Sequence, residues 1–88
     1  MNVGFRLTAH AEGELARRGI PRPLLDQVLR EPQQIVPGHG GRKAYQSQLD
    51  FGDGTIWLLR AIVDERVAPP MLITVYRTSK IDKYWRRP

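Results

Sequence analysis

The spacing of apolar residues along the chain changes period twice. VGFRL alternates apolar and polar positions, which predicts a short strand over Val3–Leu7. The period then lengthens. Thr8 is placed to cap a helix over His10–Arg18, and Gly19 falls where a helix turns left-handed and stops. Leu24, Leu25, Val28 and Leu29 recur at helical spacing and predict a second helix. It starts at Ile20–Pro21, since proline suits a first turn, and ends at Pro32, because the residue before a proline avoids the helical region. Two consecutive helices of this kind form a hairpin.

Past the glycine-rich loop Pro37–Gly41 the period returns to two. Ala44–Phe51 reads as a strand, Gly52-Asp53-Gly54 as a hairpin turn, and TIWLLRAIVD, Thr55–Asp64, as its partner strand. That second strand is apolar on both faces, which predicts a central position. Glu65–Pro70 is a further turn and Met71–Arg77 the last long strand, while Ile35–Val36 is compatible with a short one. Thr78 or Ser79 then caps a short helix over Lys80–Trp85. The order β-α-α-β-β-β with a helical tail predicts an α+β fold, a helix hairpin packed on a twisted antiparallel sheet. With 88 residues the chain reads as a single domain, 1–88.

Alternation across the strands sorts the side chains. Trp57, Leu59, Ala61 and Val63 share one face of the central strand, and Ile56, Leu58, Arg60 and Ile62 the other. On the last strand Met71, Ile73, Val75 and Arg77 oppose Leu72, Thr74, Tyr76 and Thr78. The economical pairing buries Trp57, Leu59, Val63, Ile73 and Val75 under the helices. Arg60, Thr74, Tyr76 and Thr78 then converge on the open face. A guanidinium held by apolar neighbours suits bidentate phosphate binding, and a tyrosine beside it can stack a base. The bland alternative is an Arg60 paired with Asp50 or Asp64 and a structural Tyr76.

Charge sharpens this picture. Fourteen Lys and Arg against nine Asp and Glu give a formal charge of +5, which favours phosphate backbones or an acidic protein partner. Without cysteine there is no disulfide framework and no thiolate zinc site. Two histidines, His10 and His39, without an acidic cluster make no metal site, and no cofactor is expected. GHGG, Gly38–Gly41, lacks the strand-to-helix context of a phosphate loop, and His39 within it reads as simply exposed. MNVGFRLTAH has no apolar signal-peptide core and no run is long enough for a membrane span, so a cytoplasmic protein without membrane contact is expected.

Two further features carry candidate chemistry. His10, Glu14 and Arg17 form one helical stripe bordered by Arg18. It reads mainly as a solvated stripe in which Glu14 pairs with Arg17 or Arg18, while His10, in a first turn, is the side chain suited to act as a base. The tail carries Lys80, Lys83, Arg86 and Arg87, with Ile81, Tyr84 and Trp85 spaced to pack on the sheet. One short helix can bury the second set and present the first.

HAEGELARRGIP (10–21), VLREPQQIV (28–36), LLRAIVDE (58–65) and TVYRTSKIDKYW (74–85) together resemble a widespread prokaryotic family of small domains, itself similar to the RelE/ParE superfamily of toxin–antitoxin toxins. The resemblance spans nearly the whole chain, and the last motif is the most specific. It implies a RelE-like fold and a toxin of a type II module, neutralised by a small, acidic antitoxin. Its recurrent polar positions correspond to His10, Arg18, Arg60, Tyr76, Thr78, Ser79 and Lys80. The chain departs from the pattern at Glu14, where an arginine is common. Relatives differ in target: most RelE-like toxins cut RNA, whereas ParE-like ones poison DNA gyrase.

The expectation that follows is a metal-independent endoribonuclease acting on RNA, free or on the ribosome, through attack of the 2′-hydroxyl. His10 is the candidate base, or else Tyr76 through a lowered pKa. Arg60 and Lys80 stabilise the phosphorane. Arg18, Arg77, Thr78, Ser79, Lys83 and Arg86 are candidate RNA contacts. The alternatives are a non-catalytic protein-binding module or gyrase-type inhibitor, held by an acidic antitoxin, and an inert regulatory domain.

Overall fold

The computed structural model describes residues 4–88. In chain order it contains β1 (Arg6–Leu7), α1 (Ala9–Arg17), α2 (Arg22–Arg30), β2 (Gln34–Pro37), β3 (Lys43–Asp50), β4 (Ile56–Asp64), β5 (Met71–Thr78) and α3 (Ile81–Tyr84). The fold is α+β. Val3 and the start of the first predicted strand lie outside the described residues. Among the described residues no helix is long and apolar enough to cross a membrane.

Local chemistry sets the helix boundaries. The Thr8 hydroxyl accepts the Ala11 amide at 3.0 Å, occupying one of the donors a helix start leaves unpaired. At the other end Gly19 takes φ +59. The Ile20 amide then reaches Leu15 O at 3.0 Å and the Gly19 amide reaches Ala16 O at 3.3 Å, a paired closure that a glycine permits. Helix α2 starts behind Pro21 and ends at Glu31, before Pro32.

The five strands form one sheet in the order β1-β5-β4-β3-β2, with β4 in the middle as its two-sided apolar pattern requires. The expectation of a wholly antiparallel sheet is corrected at one edge: β1 pairs with β5 in parallel, Leu7 opposite Leu72. The sheet is therefore mixed. The β3–β4 turn is shaped by side-chain caps, with Asp50 Oδ1 accepting the Gly52 and Gly54 amides at 2.7 and 3.1 Å.

Helices α1 and α2 cover one face. Their Ala11, Leu25, Val28 and Leu29, with Ile20 from the connection between them, join Tyr45, Leu49, Leu59, Ala61, Val63, Leu72 and Val75 in the core. Here a second expectation fails. The β4–β5 register slips between Ile62 and Val63, so that Ile62 faces Thr74 but Val63 faces Leu72. Ile73 is the extra residue of a bulge, and the bulge reverses the facing of everything before it. Leu72, expected on the open face, is fully buried in the core in place of Ile73, which is only partly buried.

One core tyrosine carries a pH dependence. The Tyr45 hydroxyl bonds Glu65, whose other oxygen pairs with Lys43 at 3.1 Å. Burial and the adjacent Glu65 push the phenol from 10.0 up to about 12. The folded state thus holds a proton that the unfolded chain releases near pH 10. Stability from this group is complete below that value and falls as pH rises from 10 to 12. At ~1.4 kcal/mol for each unit, the loss is of order 2–3 kcal/mol. Melting curves recorded from pH 8 to 12 should show a drop that Tyr45→Phe lacks. An identical alkaline drop in both proteins would assign it to other groups.

Candidate anion pocket

Arg60, in the middle of β4, points to the face opposite the helices, and Tyr76 is its direct partner on β5. Arg60 Nη1 donates to the Tyr76 hydroxyl at 2.5 Å. The two groups share a surface, as alternation predicts, but that surface is not open. Arg60 is only 9 % exposed. The tail folds back across it, and the Tyr84 ring lies 4.2 Å from the guanidinium carbon.

Amides pin the tail there. Gln46, fully buried and opposite Arg60 on β3, accepts from Arg60 Nε at 2.9 Å and donates to the Tyr84 carbonyl at 3.2 Å and to Gln34 Oε1 at 2.8 Å. Gln34 in turn brackets the backbone of Arg86, donating to its carbonyl at 2.6 Å and accepting its amide at 3.1 Å. Tyr76 and Tyr84 meet edge to face with centroids 6.3 Å apart.

The electrostatics of Arg60 are unusual. No carboxylate among the described residues forms an ion pair with it, which excludes the proposed pairing with Asp50 or Asp64. Asp50 caps the hairpin turn and Asp64 holds Arg66 at 3.0 and 3.2 Å. A buried charge without a counter-ion is expensive. Two neutral oxygens and the faces of two tyrosines offset part of that cost, a desolvated cation–π contact contributing up to ~2 kcal/mol. An anion would offset the rest.

Arg60 opens onto a pocket of about 540 Å³. Ile62 and Thr74 continue the sheet surface from Arg60 and Tyr76, and Tyr84, Pro37, Gly38, His39 and Arg42 complete the lining. The last four come from the end of β2 and the glycine-rich loop that follows it. Gly40 and Gly41 take φ +66 and +77, a turn that residues with a side chain rarely make, and so set His39 and Arg42 on the rim. Arg42 Nε is buried and has no hydrogen-bond partner. A buried donor left unpaired costs about 1–3 kcal/mol. The Arg42 charge also helps lower the Asp64 carboxyl, after the larger effect of the Arg66 hydrogen bonds.

The two phenols are driven apart. Burial raises the Tyr76 pKa and outweighs the opposing pull of Arg60. Burial also acts to raise Tyr84, but Lys83, Tyr76 and Arg60 outweigh it and the net direction is down. Tyr76 as a base through a lowered pKa is therefore corrected: the group holds its proton.

The remaining sequence candidates lie elsewhere. His10 is exposed on α1, in the helical layer on the far side of the sheet, and does not line the pocket. Arg18 Nε pairs with Glu14 at 2.9 Å, and Arg17 holds the other Glu14 oxygen, the solvated-stripe arrangement except that Glu14 itself is buried. Arg77 faces the helical side, opposite Leu59, with its guanidinium 4.6 Å from the Trp57 ring and 4.8 Å from Phe51. Thr78 Oγ1 accepts the Lys80 amide at 3.0 Å in the turn before α3, but the N-cap of α3 is Lys80 and neither Thr78 nor Ser79 caps it, and none of the three lines the pocket. Lys83 Nζ lies 5.2 Å from the Tyr84 ring. Arg86 contributes its backbone to the tail clamp. Tyr84 packs on the sheet as its spacing predicts, whereas His39, read as simply exposed, lines the pocket, and neither Arg42 nor Gln46 carries a role in the sequence analysis. Nothing in the mostly polar run of β3 singles out Gln46 as the partner of Arg60; only the β3–β4 register does.

Fold and site together define a small α+β protein that opens a buried, carboxylate-free arginine onto a basic, tyrosine-lined pocket. No protein-family model, curated protein or solved structure matches the chain.

Proposed function

We propose that this chain is a RelE-like toxin of a type II toxin–antitoxin module that cleaves RNA without a metal. The observation that carries the reading is Arg60, nine-tenths buried, unpaired with any described carboxylate and open to a pocket with an imidazole and two phenols on its walls. The helix pair packed on one sheet face, with the chemistry on the other, supports the RelE-like assignment.

The chemistry divides among the pocket residues. Arg60 meets the charge that builds on the phosphorane, in a site where fixed donors act more strongly than in water. His39 replaces His10 as base and takes the proton from the RNA 2′-hydroxyl, which attacks the adjacent phosphorus. Tyr76, kept protonated by burial and polarised by the Arg60 hydrogen bond, gives its proton to the departing 5′-oxygen. The products are a 2′,3′-cyclic phosphate and a free 5′-hydroxyl, and solvent returns the proton from His39 to Tyr76.

Purified protein incubated with RNA, with and without ribosomes, should yield fragments ending in cyclic phosphate. Tyr76→Phe should slow cleavage ~10²–10⁴-fold, the usual contribution of a positioned acid. Folded protein that leaves RNA intact under both conditions sinks the nuclease. The exposed tail cations Lys80, Lys83 and Arg86, outside the pocket, favour a second reading, a binder of acidic protein such as an antitoxin or gyrase. Toxicity that survives Tyr76→Phe combined with His39→Ala would select it.

A further inference from the structure

We propose that the pocket is a mononucleotide subsite, taking the phosphate of one nucleotide between Arg60 and Arg42 and its nucleoside against Tyr84, Ile62 and Pro37. The inference rests on the RNA reading above and deepens it by naming the unit that is gripped and the group that grips it.

Three observations converge on a phosphate with an attached nucleoside. The first is Arg42, whose side chain lines the pocket and whose Nε, buried behind that lining, is bonded to nothing. Guanidinium N–H groups match phosphate oxygens in geometry as well as charge, so a side chain whose charge is not tied up by a direct ion pair suits an oxyanion in the pocket. The second is Arg60, which lines the same pocket and adds a second guanidinium without a carboxylate partner among the described residues. Two arginines facing one space suit a group with several anionic oxygens better than a carboxylate. The third is size and lining. At about 540 Å³ the pocket far exceeds a bare phosphate and lies within the ~300–1,000 Å³ of small-ligand sites. Ile62, Pro37 and the Tyr84 ring supply apolar and aromatic surface, which a base can use by stacking.

Neither arginine in this role was predicted to work with the other. Arg42 comes from the loop after β2 and Arg60 from the middle of β4, and only the folded chain puts them on one pocket. Asp64 answers part of the Arg42 charge, but its two oxygens are already bonded to Arg66.

The test is calorimetric titration of the full chain with adenosine 3′-monophosphate and uridine 3′-monophosphate, and separately with adenosine and inorganic phosphate. A nucleotide should bind at least tenfold tighter than either of its parts. Arg42→Gln should weaken nucleotide binding about 10–100-fold, the effect of losing a charged hydrogen bond, and leave adenosine binding unchanged. Titration of the unmutated chain followed by NMR supplies a second measurement independent of variant folding: Ile62 and Tyr84 resonances should shift with nucleotide. Inorganic phosphate binding as tightly as nucleotide, or shifts confined to the tail, overturns the proposal. RNA cleavage is scored separately. Protein that binds nucleotides but cuts nothing removes the nuclease and keeps the subsite, whereas protein that cuts RNA but binds no nucleotide removes the subsite alone.

Discussion

Replacing Arg60 with methionine should lower RNA cleavage about a hundred- to a thousand-fold, the range for removing one preorganised donor to a developing oxyanion, while the protein stays folded. The two halves of this expectation have different causes. The chemical loss arises because the guanidinium donates to Tyr76 and faces the pocket, so its removal takes away both the phosphorane contact and the polarisation of the acid. The structural tolerance arises because a buried cation without a carboxylate is a weak stabiliser, and an apolar side chain of similar length often replaces a buried charge at little cost. Methionine fills the space, strands Gln46 Oε1 and removes the desolvation penalty, so the melting temperature should stay within about 5 °C of the parent. Lysine should not restore activity, because a point charge cannot donate to Gln46 and Tyr76 in one plane. Collapse of Arg60→Met would make the arginine a keystone of the sheet. Unimpaired cleavage in a folded variant would place the chemistry elsewhere.

The largest stability effect should come from Leu72→Ala. Leu72, on β5 between β1 and β4, is fully buried in the core beneath the helices. Truncations of this kind cost about 2–5 kcal/mol, combining lost transfer energy with a cavity. Against a total of ~5–15 kcal/mol, that removes a large share of the margin of a small domain. The melting temperature should fall by about 8 °C or more at ~4–8 °C for each kcal/mol. Ile73→Ala, one residue along, should cost clearly less, because Ile73 is the bulged residue and only partly buried. The pair of variants is a direct test of the β4–β5 register. Regular alternation predicts the reverse ranking, and equal losses would mean that the bulge is not held in solution.

Much of the fold was legible in the pattern of residues because local rules govern it. Thr8, Gly19, Pro21 and Pro32 act on their own backbone neighbours, so the helix ends follow from them directly. The two-sided apolar run of β4 has to be covered on both sides, which is why its central place could be inferred. The pairing of Glu14 with Arg17 and Arg18 is set by helical spacing. The shared face of Arg60 and Tyr76 follows from strand alternation plus one register.

What the residues did not disclose depends on contacts between distant segments. One bulge at Ile73 exchanges Leu72 for Ile73 in the core, and no propensity at those positions announces it. The parallel edge pairing of β1 depends on where α1 and α2 set the start of the chain beside β5. The spacing of Ile81, Tyr84 and Trp85 places the tail on the sheet, but that it covers Arg60 is decided by Gln34 and Gln46, which hold its backbone there. Arg42 and His39 reach the same space through two left-handed glycines. The sequence by itself therefore determined the elements, their caps and the facing of side chains within each regular strand, since these need only near neighbours. The tertiary structure alone decided which charges lost water and which lacked a partner, because burial and pairing belong to the packed chain as a whole.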